Sequence, residues 1–312
     1  MARQRMKFPS REAWLEARKD GIGASEVASV VGLNPWETPL QLWRKKVGID
    51  QPEPENFFMK AGHYLEDAVA RFYADESGRE IISSSAEDFM FIDPNKPFLR
   101  VSPDRTFWLS GVRNDDNKGI LECKTTQRTI DPDELPKHWF CQVQMNLGVA
   151  GYTQGSLAWL CSGREFGYKD IEFAPDFYAW LVEETERFWV DNVLGKKEPE
   201  PINVQDILLK YNRQTDGKQL EVSDELFETY KELKDLKKQI AAMEENKAAM
   251  EDKLKMAFLD AEAITYGGET LATWKAAKPT MKFDDKAYLK EHADLCKDYM
   301  REVQGTRRFL IK

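Results

Sequence analysis

The sequence predicts an α/β fold: a mixed central sheet flanked by helices, followed by a long helix and a small α/β extension. Three observations carry that expectation. Short strand-like apolar runs recur between positions 81 and 173. Helical patterns stand before, between and after them, and a turn cluster, SGVRNDDNKG, separates two of the runs. Strands interleaved with helices place those helices on the faces of a sheet. The 312 residues are 42% hydrophobic and include nine Trp, enough apolar material for a sizeable core and about two domains. That excludes a disordered chain, a collagen-like repeat and a disulfide-stapled miniprotein.

Residues 1–50 read as two helices around a tight turn, Gly21-Ile22-Gly23. Ser10 suits the N-cap of the first, with Trp14, Leu15 and Arg18 at helical spacing; Ser25 suits that of the second, which runs to about Val31. Gly32 and Pro35 stop it, and Pro39 starts a further helix through Lys46. QPEPEN at 51–56 has the composition of a linker. Over 57–76 Leu65, Val69, Phe72 and Tyr73 share one side of a helical pattern that Gly78 ends. Strands are expected at 81–84, 89–92, 100–109, 120–124, 154–160 and 168–173, with helices over 138–151 and 175–194.

A domain boundary is expected near 205, giving a core over 1–205 and an extension over 206–312. In the extension, Leu226, Leu233, Leu236, Ile240, Met243, Met250, Leu254, Ala257 and Ala261 fall on the a and d positions of one heptad frame, with Thr229 and Lys247 as exceptions. Such a frame forms a coiled coil, a helical arm, or a long amphipathic helix packed on its own domain. Gly267-Gly268 reads as a hairpin turn, Asp284 or Asp285 starts a helix, and 306–312 reads as a final strand.

The net charge of -9 argues against a protein that coats nucleic acid through a basic surface. The charge is uneven. Residues 1–50 hold nine Lys/Arg against six Asp/Glu, a balance of +3, and 223–262 hold seven Lys against eleven acids, a balance of -4. A basic groove around an acidic metal site remains compatible with that distribution. Cys123, Cys141, Cys161 and Cys296 are dispersed without CxxC spacing, which supports neither a zinc ribbon nor a redox motif. With no apolar h-region after MARQRMKF and no run long enough for a membrane helix, a cytoplasmic protein without membrane association is expected.

Pro103-Asp104 and Glu122-Cys123-Lys124 carry the chemistry. On a strand Glu122 and Lys124 project to one face and Cys123 to the other. The SGVRNDDNKG turn lets the strand carrying Asp104 pair with 120–124, which brings the three charges together. Close carboxylates repel, and that favours a hard divalent cation with oxygen ligands, Mg²⁺ or Mn²⁺. A lysine on the same face can help a metal-activated water and balance phosphorane charge. The same spacing also occurs in surface charge ladders of hairpins. Here the feeding strand, Gly119-Ile120-Leu121, is apolar, and a third acid, Glu66, sits on the preceding helix after GHYL. Arg18 and Ser25 flank the Gly-rich turn, where a helix N-terminus, a hydroxyl and an arginine make a phosphate site. His63, His138 and Trp36 suit packing roles as well as functional ones.

The ordered blocks GIGASEVASVVGLNPWETPLQLWRKKVG, AGHYLEDAVARFY, SPDRTFW, LECK and CQVQMNLGVAGY resemble the YqaJ-like viral recombinase family. That family is related to bacteriophage lambda exonuclease and belongs to the PD-(D/E)XK nuclease superfamily. The resemblance covers about 10–195 and implies a PD-(D/E)XK nuclease core. It implies a metal held by Asp104, Glu122, Glu66 and the main-chain carbonyl of Cys123, with Lys124 as catalytic lysine and Gln142 and Gln144 beside DNA and the active site. It implies a 5′-phosphate pocket of Arg18, Ser25 and Ser102, with Arg128 the nearest match to a further arginine, displaced by two residues. The implied activity is Mg²⁺-dependent digestion of the 5′-ended strand of linear duplex DNA in a phage or prophage setting. The 3′ overhangs left would serve a single-strand annealing protein, and the implied assembly is a homo-oligomeric ring, a trimer or tetramer. An endonuclease or flap nuclease on the same core, or a DNA-end-binding assembly protein, are the alternatives.

Overall fold

A computed structural model of the chain describes residues 4–51, 56–82, 89–302 and 305–311; positions 52–55 of the expected linker and 83–84 of the expected strand lie outside them. The chain divides into two units, Met1–Lys210 and Tyr211–Lys312.

The first unit opens with a strand that the sequence pattern does not announce, β1 (Gln4–Lys7). Helix α1 (Arg11–Lys19) follows, N-capped by Ser10, whose hydroxyl accepts from the Ala13 amide at 3.3 Å. The Gly21-Ile22-Gly23 turn lies against the chain at Phe98-Leu99: Ile22 bridges Leu99, and a Cβ on Gly21 would stand 2.3 Å from the Phe98 carbonyl. Only glycine permits that approach. Helix α2 (Val27–Val30) is shorter than expected and is preceded by Glu26 at the N-cap, not Ser25. Thr38 forms a capping box with Gln41 to start α3 (Pro39–Lys46), and Asn56 caps α4 (Phe57–Ser77), which ends on Gly78 in the left-handed conformation.

Strands β2 (Ile81–Ile82), β3 (Phe89–Ile92), β4 (Arg100–Val101) and β5 (Arg105–Trp108) come next. The single strand expected over 100–109 is therefore two, interrupted by Ser102-Pro103-Asp104. Pro103 has no N–H to give a ladder, and it falls where the chain changes sheets. Strand β4 pairs with β3 in a three-stranded sheet ordered β1-β3-β4, and β5 enters the central sheet.

The central sheet is completed by β6 (Lys118–Thr126), β7 (Gln154–Cys161) and β8 (Glu165–Glu172), with α5 (Lys137–Ala150) crossing over between β6 and β7. Its order is β2-β5-β6-β7-β8; β6 and β7 are parallel and every other pair is antiparallel. The expected mixed sheet is thus present. Alternation along β6 sends Leu121 and Cys123 toward α4, where Val69, Ala70, Tyr73 and Phe107 close one core. Ile120 points to the other face, into a larger core with Val143, Leu147, Val27 and Leu181. The closing helix α6 (Pro175–Arg187) continues as a π-helical turn, Phe188–Leu194. Helix α7 (Val204–Lys210) stays in this unit because the Thr38 hydroxyl donates to buried Asp206 at 2.7 Å, so the division falls after Lys210.

The second unit holds α8 (Asp224–Phe258), 35 residues long and N-capped by Ser223. A hairpin of β9 (Ala263–Tyr266) and β10 (Glu269–Thr273) turns at Gly267-Gly268, whose φ values of 60° and 90° need glycine. Short helices α9 (Asp285–Glu291) and α10 (Ala293–Cys296) follow. The strand expected at 306–312 does not form over 306–311: these residues have no regular structure, and among the described residues β9 and β10 pair with each other alone. No helix among the described residues is long and apolar enough to cross a membrane.

Candidate active site

The break between β4 and β5 places Asp104 at the mouth of a cleft of about 590 Å³. The facing end of β6 contributes Glu122, Cys123 and Lys124; α4 contributes Glu66 and Asp67; α5 contributes Gln142. Arg18, Ser25 and Ser102 line the same cleft. One cavity therefore gathers most of the residues that sequence reasoning singled out.

Two do not join it. Gln144 is fully buried, donating to the Glu172 carbonyl at 2.8 Å and accepting from the Ala174 amide at 2.9 Å, so it braces the turn into α6. Gln142 and Gln144 are two residues apart on a helix and cannot share a face. Arg128 is exposed and outside the cleft, with its amide donating to the Thr126 hydroxyl.

Asp104 is anchored from the backbone, its Oδ2 accepting from the Cys123 amide at 2.7 Å. Glu122 is 1% exposed and takes three donors. Lys124 Nζ reaches Oε1 at 2.8 Å, Gln142 Nε2 donates to the same oxygen, and Asn146 Nδ2 donates to Oε2 at 2.9 Å. Gln142 Oε1 also accepts from Lys124 at 2.9 Å, which closes a ring of three side chains. Arg105 forks between Glu66 and Asp67 and also donates to the Asp104 carbonyl at 2.6 Å.

Sequence reasoning missed Asn146 and Arg105. Asn146 stands four residues beyond Gln142, the spacing that shares a helix face, so helical periodicity alone could have found it. Arg105 follows the Pro-Asp pair directly, and only the fold shows that it turns back to α4.

Burial, then the nearby Asp104 charge, pushes the Glu122 carboxyl up to about 8 and the Glu66 carboxyl up to about 7. Burial opposes the Lys124 cation, but Glu122 and Asp104 outweigh it and raise Lys124 above an ordinary lysine. Burial likewise raises the Cys123 thiol well above its usual range, which disfavours its thiolate form.

The mutual repulsion of three carboxylates is what a divalent cation relieves. The donors are all oxygen if the Cys123 carbonyl is included, which suits Mg²⁺ or Mn²⁺ in kind. Among the described residues no group of three or more His, Cys, Asp or Glu is arranged as a metal site. Each carboxylate is instead engaged by a protein donor: Glu66 by Arg105, Asp104 by the Cys123 amide, and Glu122 by Lys124, Gln142 and Asn146.

A pH dependence follows. Both glutamates hold protons in the fold at a pH where the unfolded chain, near 4.5, has released them. The native state binds more protons, so stability falls as pH rises through the folded values. His138, whose pKa is lowered by burial, acts below that window. In EDTA the melting temperature should therefore drop between pH 6.5 and 9, by about 5 °C. Glu122→Gln should flatten the drop. A melting temperature that rises over this interval would contradict the raised carboxyls.

The phosphate-site candidates form a second cluster on the cleft wall. Trp14 Nε1 donates to the Ser102 hydroxyl at 3.1 Å, and Arg18 donates to the Ser25 hydroxyl at 3.2 Å while its guanidinium lies 4.8 Å from the Trp14 ring centroid. Ser25, freed from capping α2, thus holds Arg18 toward the cavity.

Comparison with known proteins agrees with the resemblance read from the sequence. Residues 13–153 match the YqaJ-like viral recombinase domain. The chain is 29% identical to the uncharacterised protein YqaJ of Bacillus subtilis (strain 168), covering 97% of this chain and 94% of that protein. Among solved structures, the alkaline exonuclease LHK-Exo of Laribacter hongkongensis is similar with a TM-score of 0.47 at 16% identity, covering 59% of this chain and 93% of that one. A phage-related exonuclease of Haemophilus somnus 129PT gives 0.39 at 10% identity, covering 57% and 96%.

Proposed function

We propose that this chain, which carries a YqaJ-like viral recombinase domain over residues 13–153, is a metal-dependent exonuclease of linear duplex DNA. It would digest the 5′-ended strand and leave 3′ overhangs for strand annealing. The observation that carries this reading is the meeting, in one cleft, of the Asp104–Glu122–Lys124 cluster with the Arg18–Ser25–Ser102 cluster. The first suits phosphodiester hydrolysis and the second suits the grip of a terminal phosphate.

Asp104, Glu122, Glu66 and the Cys123 carbonyl would hold Mg²⁺. Bound there, the ion supplies Lewis-acid charge to the scissile phosphate. The chain's own residues do the rest. Lys124 keeps a positive charge where negative charge develops on the phosphoryl oxygens. Gln142 fixes Lys124 relative to Glu122, and Asn146 fixes the other Glu122 oxygen. Arg105 orients Glu66. Arg18 offers charge-assisted donors to a terminal phosphate, and the Ser25 and Ser102 hydroxyls add neutral ones.

The test uses four substrates: linear and circular duplex, and linear ends with 5′-phosphate or 5′-hydroxyl. Digestion restricted to linear DNA and faster from phosphorylated ends is expected. Cutting of the circle at a comparable rate would favour an endonuclease. Arg18→Ala should lower the preference for phosphorylated ends about tenfold or more and leave the carboxylate cluster intact, since the Arg18 side chain bonds Ser25 and not Asp104, Glu122 or Lys124. A variant that keeps the full preference would place the end sensor elsewhere.

A further inference from the structure

Helix α8 carries an apolar seam that its own unit leaves open. Leu236, Ile240, Met243, Met250 and Leu254 are between 46% and 70% exposed. They occupy a and d positions of one heptad frame, the pattern that seats a second helix. The charges beside the seam decide which helix. Toward the outer face, Lys231 pairs with Glu228 and Lys238 with Asp235 within α8. The side chains of the flanking Glu232, Lys237, Glu244 and Lys253 have no ion pair or hydrogen bond among the described residues.

We propose that α8 pairs antiparallel with α8 of a second copy of this chain, about a twofold axis between positions 241 and 242. In that register Ile240 meets Met243 of the partner subunit, and Leu233 meets the partner's Met250. Lys247, the one charged seam residue, meets the partner's Leu236 and can extend its ammonium past it to solvent. The flanks then match: Lys237 faces the partner's Glu244, Glu232 faces the partner's Lys253, and symmetry makes each pair twice. These four charges all find a partner, while Glu225 and Glu245 of α8 stay without one among the described residues.

A parallel pair satisfies only two of these four residues, Lys237 facing the partner's Glu232. It stacks Lys247 against the partner's Lys247 inside the seam, a like-charge contact that the antiparallel register avoids. It also leaves Glu244 opposite Gln239 and Lys253 opposite Phe258. The overlap of 226–257 spans about 48 Å at 1.5 Å per residue, long enough for a stable two-stranded contact. This pairing is independent of the catalytic reading and uses no residue of the cleft.

Charge reversal in the full chain tests it, read by sedimentation equilibrium at micromolar concentration. Lys237→Glu and Glu244→Lys should each weaken self-association about tenfold, because two attractive pairs become repulsive. Combined, they should restore it, since the swapped charges again face each other. All three variants replace exposed residues and should keep the wild-type circular dichroism. The proposal is overturned if the wild-type chain is monomeric at tens of micromolar, in which case the seam serves its own chain or a different protein. It is also overturned if the single reversals leave association unchanged. A double variant as weak as the single ones would overturn the antiparallel register, because in a parallel pair Lys237 faces Glu232 and the swap leaves repulsion.

Discussion

Glutamine at position 122 is expected to abolish hydrolysis of linear duplex DNA while the chain stays folded. Glu122 sits at the centre of the cluster, with Lys124, Gln142 and Asn146 all converging on its carboxylate. Glutamine keeps the shape and one acceptor but removes the charge that a cation and Lys124 both need. Alanine would be the harsher choice, since it leaves buried donors without an acceptor and confuses loss of fold with loss of chemistry. Lys124→Ala should lower turnover roughly 10²–10³-fold, the scale found when one charge-stabilising donor is removed from a developing anion. Asp104→Asn should resemble Glu122→Gln. Single-turnover digestion, with circular dichroism as the fold control, separates the cases. Near-wild-type digestion by Glu122→Gln would sink the proposed site.

Chelation is expected to have an equally large effect. With all-oxygen donors, Mg²⁺ and Mn²⁺ should both support digestion, and excess EDTA should reduce it below detection. Ca²⁺ prefers more ligands at longer distances, so it should bind and compete while supporting little turnover. A titration calorimeter can read Ca²⁺ binding directly, and Glu122→Gln should weaken it. Full digestion in EDTA would exclude the proposed chemistry, whatever the carboxylates do for stability.

The sheet and its helices were legible because burial writes itself into short chains of apolar residues. Runs such as Ile120-Leu121 and Leu157-Ala158 have no other use than a core. Strand β1 was not legible: Gln-Arg-Met-Lys has no apolar alternation, and it is a strand only because β3 offers it an edge. The break at Pro103 was equally hidden, since Arg100–Val101 and Arg105–Trp108 read as one run until two different sheets claim them. In the site, residues given by local spacing came together, whereas Arg105 depended on α4 arriving from elsewhere in the chain. Gln144 shows the reverse error: a neighbour in sequence that helical geometry turns away.

The interruption at Pro103 also sets a length. On one side of it Ser102 is tied to Trp14 in the wall of the cleft, and on the other Asp104 is tied to the backbone of β6. A single ring with a locked φ is all that lies between. Under the proposed activity, the point where a strand end is gripped and the point where it is severed are two ends of one short, stiff gauge. The size of the fragment released at each cut would then depend in part on the main-chain spacing between Ser102 and Asp104.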